Sequence, residues 1–141
     1  MKGYAVAAQS AFNPLVDVEI WTCFPARETV IKSVSGIQGF WAQRDYRLPS
    51  GALVHAIWIS GKGTDIRLAF GNDVSSDDGP LGSGNTYRTF SQEGLRFIFE
   101  NHPVLGKSLI IPIPSKGTLT LESMMASEQE LIDTAKKLLL Q

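Results

Sequence analysis

Few side chains in this sequence are suited to acid–base or nucleophilic chemistry: two histidines, His55 and His102, and one cysteine, Cys23. Imidazole changes charge near neutral pH, so a small hydrolase or nuclease would draw its general base from His55 and His102, assisted by Lys62 or Arg67. The surrounding pattern argues against that use. His55 falls on the apolar side of the alternating run Leu53, His55, Ile57, Ile59, where a histidine hydrogen-bonded inside a core is expected. His102 falls at an expected helix end, where a cation complements the helix dipole. Cys23 precedes an expected helix start, a setting that activates thiols, but no motif surrounds it and small apolar packing is its expected role. These three residues share no metal-ligand spacing, so neither a metal nor any other cofactor is expected.

Three further stretches resemble binding devices. Gly61-Lys62-Gly63-Thr64 has the flavour of a phosphate loop, yet Ala56 stands where the first glycine belongs and Gly63 follows the lysine in place of Ser or Thr. A hairpin turn is the expected reading. Asp73-Val74-Ser75-Ser76-Asp77-Asp78-Gly79 offers oxygen ligands at alternate positions, but Asp78 and Gly84 occupy the places where a calcium loop needs Gly and Glu. A solvated loop is expected there. Phe40-Trp41-Ala42-Gln43-Arg44-Asp45-Tyr46-Arg47 interleaves aromatic with basic groups, as a single-strand nucleic-acid platform or an interaction hot spot would.

Charge decides between those two. The net charge is -1 and the pI near 6.1, which lacks the basic footprint of a nucleic-acid binder. The distribution is uneven, with six basic and three acidic residues from Ala26 to Arg67, and five acidic and two basic from Asn72 to Asn101. That asymmetry can orient a partner without gripping a polyanion. The 141 residues, 43% hydrophobic and 19% charged, suit one soluble domain spanning 1–141. A chain of this size buries roughly 68% of its extended surface, so its core needs no disulfide or metal. No secretory signal and no bilayer-length apolar run are visible, and a cytoplasmic setting is expected.

The elements that must position these residues come next. Tyr4, Val6 and Ala8, then Val18, Ile20, Thr22 and Phe24, alternate as a first hairpin. Phe24-Pro25-Ala26 opens an expected helix carrying Val30, Ile31 and Val34 and ending at Gly36. Leu48-Pro49-Ser50-Gly51 is a turn into a central hairpin, Leu53 to Phe70, folded about Ser60-Gly61-Lys62-Gly63. Pairing Ile59 with Thr64 makes Leu53, His55, Ile57 and Ile59 the packed side, and leaves Val54, Ala56, Trp58, Asp65, Arg67 and Ala69 as a mixed side.

Residues 71–86 form a Gly, Ser and Asp-rich loop. Tyr87 to Phe90 reads as a short strand. Ser91 caps an expected helix with Leu95, Ile98, Phe99 and His102 on one face, ended by Pro103. Leu109–Ile113 and Gly117–Leu121 form a hairpin whose Pro112 and Pro114 mark an edge strand. Ser127 and Glu130 form a capping box ahead of the amphipathic set Leu131, Ile132, Ala135, Leu138 and Leu139.

The expected architecture is α+β, a mainly antiparallel sheet with about three helices packed on one face. The expected function is a non-catalytic protein-interaction module acting through a protein partner or as a homodimer. Its contacts are Trp41, Arg44, Tyr46 and Arg47, with Asp73, Asp77 and Asp78 as a second surface. One alternative is the hydrolase or nuclease using His55 and His102. Another is a small-ligand pocket between sheet and helices lined by Trp21, Trp58 and Phe97.

Overall fold

A computed structural model of the chain describes the backbone of residues 13–32, 38–61, 79–80, 86–102, 104 and 106–140. Among the described residues nine strands follow one another: β1 (Thr22–Cys23), β2 (Arg27–Lys32), β3 (Gln38–Arg47), β4 (Leu53–Gly61), β5 (Gly79–Pro80), β6 (Thr86–Gln92), β7 (Leu95–His102), β8 (Gly106–Ile113) and β9 (Gly117–Ser123). A helix, α1 (Glu128–Leu139), closes the order. All strands join one antiparallel sheet in the order β1-β3-β4-β9-β8-β7-β6-β5, with β2 also paired to β3.

The expected α+β fold with about three helices is therefore corrected to a mostly antiparallel sheet. Among the described residues it carries a single short helix near the C-terminus. Arg27–Lys32 is a strand because Thr29, Val30 and Ile31 are β-branched, which crowds a helix and suits a pleated ladder. Their spacing only imitated a helical stripe. The second expected helix, from Ser91, is a hairpin: Glu93 (φ 52) and Gly94 (φ 80) form a two-residue turn with Gln92 facing Leu95. Two positive φ values in succession match the twist of the flanking strands. Phe97, Ile98 and Phe99 are all buried, so β7 is covered on both faces. In a helix such a run would spread round the barrel of the helix, and here it alternates between two sides of a sheet.

The hairpin of β8 and β9 forms as expected, but not at an edge, since β8 lies between β9 and β7. Pro112 is tolerated there because the ladder with β7 stops at Ile110. Among the described residues of the first expected hairpin, Thr22–Cys23 is a strand, and Glu19 and Ile20 form a turn closed by the Trp21 N–H donating to the Val18 carbonyl at 3.0 Å. Residues 4–8, 33–37 and 62–78, including the expected second strand Thr64–Phe70, lie outside the described residues.

One face of the sheet packs under α1. Cross-strand partners share a face, so Tyr46 and Val54, Ala42 with Trp58 and Leu119, Ala56 with Leu121 and Leu109, and Phe99 with Leu109 form continuous rows. All belong to the core, together with Leu131, Ile132, Ala135 and Leu138 of α1. The small Ala42 and Ala56 leave room for Trp58. Burying Leu131, Ile132 and Leu138 stabilises the helix on the sheet by roughly 1.5–3 kcal/mol each. Trp21 meets Tyr46 edge to face at 5.0 Å, and Phe90 stacks on Phe97 at 5.3 Å.

Polar anchors fix the helix at three points. Ser127 accepts from the Glu130 N–H at 3.1 Å while Glu130 accepts from the Ser127 N–H at 2.9 Å, the capping box read from the sequence. Glu130 also accepts from the Ser50 hydroxyl in the β3–β4 turn at 2.5 Å. Arg88 of β6 pairs with Glu128, and Lys136 pairs with Glu93 of the β6–β7 turn at 2.8 Å. The helix is thus tied to opposite ends of the sheet.

This arrangement reverses the faces expected of β4. Val54, Ala56 and Trp58 are fully buried on the face that carries α1, whereas Leu53 is 42% exposed and His55, Ile57 and Ile59 are only half-buried. The expectation scored the mixed side by Asp65 and Arg67, and those residues lie outside the described ones.

Candidate functional site

The second face of the sheet, opposite α1, is buried at Ile98, Ile110, Thr118 and Thr120 but open at the end where Asp45, His55 and Glu122 lie, and that end is the place to look for chemistry. Along β3 the face carries Trp41, Gln43, Asp45 and Arg47; along β4, Leu53, His55, Ile57 and Ile59; along β9, Thr118, Thr120 and Glu122. Asp45, His55 and Glu122 fall in one cross-strand row. At the end of that row is a cleft of about 450 Å³ lined by Asp45, Leu53, His55, Glu122, Ser123, Met124 and Met125.

Local backbone chemistry builds the cleft's far wall. The Ser123 hydroxyl donates to the Leu53 carbonyl at 2.7 Å and accepts from the Met125 and Ala126 N–H groups at 3.3 and 3.0 Å. That turn buries Ala126 and leaves Met124 and Met125 in water, 62% and 80% exposed. Gly106 (φ +99) lies beneath, where a Cβ would meet the Met124 sulfur and the Ser123 carbonyl oxygen, each at 2.9 Å. Only glycine suits that position.

Within the cleft, His55 is held from two sides. Its Nδ1 lies 2.5 Å from Asp45 Oδ1, and its Nε2 lies 2.7 Å from Gln43 Nε2. The carboxylate accepts from the Nδ1–H, and the Gln43 side-chain amide faces the other ring nitrogen. The side chains of His55 and Asp45 remain 30% and 42% exposed. His55 is therefore a cleft residue and not the enclosed core histidine expected from the apolar run. An oriented imidazole could act as a base, but the hydroxyl beside it belongs to Ser123, whose proton is committed to Leu53. Among the described residues no group of three or more His, Cys, Asp or Glu could hold a metal ion.

His102 does not join this site. It sits on β7, three strands from β4, which places it roughly 14 Å away across the sheet. Its Nδ1 accepts from the Val104 N–H at 3.0 Å. Trp21, Trp58 and Phe97 belong to the packed core under α1, and none of them lines the cleft.

The four expected contact residues of β3 divide between the faces. Trp41, half-buried, and Arg47, exposed, lie on the cleft face; the Arg47 Nη1 donates to the Gly51 carbonyl at 3.1 Å. Arg44 and Tyr46 lie on the other face, where they hold residues 13–24 against the sheet. The Tyr46 hydroxyl donates to the Val16 carbonyl at 2.8 Å. Arg44 donates to the Phe24 and Leu15 carbonyls at 2.7 and 3.0 Å and pairs with Asp17. Burial pushes the Tyr46 phenol well above its usual 10, against the pull of Arg44. Burial alone would lower the Arg44 guanidinium, but the hydrogen bond and charge of Asp17, with Tyr46, raise it. Asp73, Asp77 and Asp78 lie outside the described residues.

Sequence reasoning passed over Leu53, Glu122, Met124 and Met125 as site residues. The pairing of Asp45 with His55 follows from the length of the β3–β4 turn: the turn closes with the Leu48 N–H donating to the Ala52 carbonyl at 2.9 Å, and counting outward from that pair sets 45 opposite 55, whereas counting from Leu48-Pro49-Ser50-Gly51 alone would set 45 opposite 54. Comparison of the chain with protein-family models, with curated proteins and with solved structures found no match. Among the described residues no helix is long and apolar enough to cross a membrane.

Proposed function

We propose that the chain is a non-catalytic protein-interaction module whose partner docks at the cleft end of the second sheet face. The observation that supports this reading is the convergence of Leu53, Met124 and Met125, 42%, 62% and 80% exposed, on one cleft. On the neighbouring positions of the same strand Val54 and Trp58 are fully buried, and apolar groups gathered in water mark interaction sites. Methionine, unbranched and polarisable, adapts to a partner's contour. Trp41 and Arg47 extend the proposed surface along β3, and Asp73, Asp77 and Asp78 are a second proposed contact on sequence grounds. A cytoplasmic setting belongs to the same proposal, since Cys23, the one cysteine, has no internal disulfide partner.

Site-specific photo-crosslinking in cells tests it. A photoreactive residue at Met125 is expected to yield a discrete adduct, and one at Ile20, 57% exposed at the other end of the chain's described part, is expected to yield none. An adduct of twice 15.4 kDa identifies a second copy as the partner. Equal adducts from both positions, or none from Met125, would overturn the proposal.

A further inference from the structure

Sulfur is the reactive element at the cleft. The chain has three methionines and one cysteine, and two of the methionines, Met124 and Met125, are adjacent. Both line the cleft, 62% and 80% exposed, and neither belongs to the core. Their turn is held by backbone bonds, since the Ser123 hydroxyl accepts from the Met125 and Ala126 N–H groups. The Met124 sulfur rests against Gly106, where a Cβ would approach it to 2.9 Å, so Met125 is the more open of the two. Cys23 is placed differently: it is half-buried, and its Sγ accepts from the Val18 N–H at 3.3 Å and donates to the Val18 carbonyl at 3.5 Å. A thiol reacts as its thiolate, which a hydrogen directed at a carbonyl opposes, whereas a thioether is nucleophilic without losing a proton.

Resting on the docking reading above, we infer that Met124 and Met125 are a peroxide-sensitive pair whose conversion to methionine sulfoxide turns the docking surface off. A thioether lone pair attacks one oxygen of hydrogen peroxide. The S–O bond forms as the O–O bond breaks, and the departing hydroxide takes the proton of the transferred oxygen, leaving one sulfoxide and one water. Sulfur gives up two electrons and peroxide gains them. The product sets a polar S=O where a partner meets apolar surface, and it does so at two of the three apolar groups of the cleft. No core residue changes, so the fold persists. Two thiols reverse the step on a methionine sulfoxide reductase: they supply two electrons and leave as a disulfide, and the oxygen leaves as water.

The test uses the purified full chain with a photoreactive residue at Glu122, an exposed position in the cleft lining. The chain is oxidised with hydrogen peroxide, freed of peroxide and irradiated in cell lysate, so that the partner itself is not oxidised. Peptide mapping by mass spectrometry is expected to place one oxygen on Met125 and then one on Met124, before Cys23 is modified. The adduct should fall at least about fivefold and return after treatment with the reductase and dithiothreitol. Met124→Leu/Met125→Leu keeps the apolar surface without the sulfur and should keep its adduct through the same oxidation. The urea midpoint of the oxidised chain should match that of the untreated one. Cys23 modified ahead of both methionines, an adduct that persists once both sulfoxides have formed, or an equal loss in the double-leucine variant would overturn the inference and leave the docking surface standing. A lowered urea midpoint would trace the lost adduct to the fold and overturn it as well. No adduct before oxidation, from Glu122 here or from Met125 in cells, overturns the docking reading and the inference with it, whatever the peptide map shows.

Discussion

Strand β4 carries two regions of opposite character on alternate residues. Val54, Ala56 and Trp58 are fully buried on the face that carries α1, while Leu53 and His55, one position out of step, border an open cleft. The backbone is the same and the period of two separates them. The covered side is filled by close packing, so any change of volume there is felt throughout the core. The other side is buried at Thr118, Thr120, Ile98 and Ile110 and opens only at the cleft, where an imidazole, two carboxylates and two methionines reach water. Stability and proposed binding therefore occupy opposite faces of the same strands.

The comparison can be broken most directly from the covered side. Trp58→Ala should cost about 3–5 kcal/mol in urea unfolding, because the site is enclosed by Ala42, Leu119 and Gly117 and cannot collapse easily. A loss under about 1 kcal/mol would show that this face is not the core. Next in size are the polar anchors. Tyr46→Phe removes the bond to the Val16 carbonyl, and Ser127→Ala removes the helix cap; each should cost about 1 kcal/mol in the same experiment.

Acid provides a gentler probe of how α1 is attached. The Ser50 hydroxyl, and then the Ser127 backbone and hydroxyl, hold the Glu130 carboxyl below its ordinary 4.5. A carboxyl depressed in the folded state contributes stability that is complete above its unfolded value and is lost as pH falls through its folded value. Urea midpoints should therefore decline below about pH 4.5, and Glu130→Gln should flatten that part of the profile. An unchanged slope would detach Glu130 from the anchoring of the helix. Smallest of all, Met125→Ser on the open side should leave the unfolding free energy within about 0.5 kcal/mol of the parent. A larger loss would mean that Met125 supports the fold, and the separation of the two faces would fail.

The fold was legible only where local chemistry acts alone. Ser127 and Glu130 announce a helix start because both partners of the capping box lie within four residues. Pro114-Ser115-Lys116-Gly117 announces the β8–β9 turn for the same reason. Glu93-Gly94 was illegible because glutamate rarely adopts a positive φ; the hairpin closes there through the strands on either side and the ion pair of Glu93 with Lys136. Arg27–Lys32 read as helix because Val30 and Ile31 with Val34 fit a 3.6-residue period, and only its pairing with β3 selects the strand. Of the candidate site, the acidic and imidazole groups were visible as residues but not as neighbours.

By itself the sequence determined an amphipathic helix near the C-terminus with its capping box, the β8–β9 turn, and a net charge of -1. Those properties follow from residues close together in the chain. Only tertiary structure decided which side of β4 is covered, because Val54, Ala56 and Trp58 are selected by Leu119, Leu121 and the helix, all more than sixty residues further on. It also decided that Glu122 stands beside His55 and Asp45, through a pairing of β4 with β9 that no local signal encodes. Cross-strand rows join distant residues by register, and register is a property of the whole sheet.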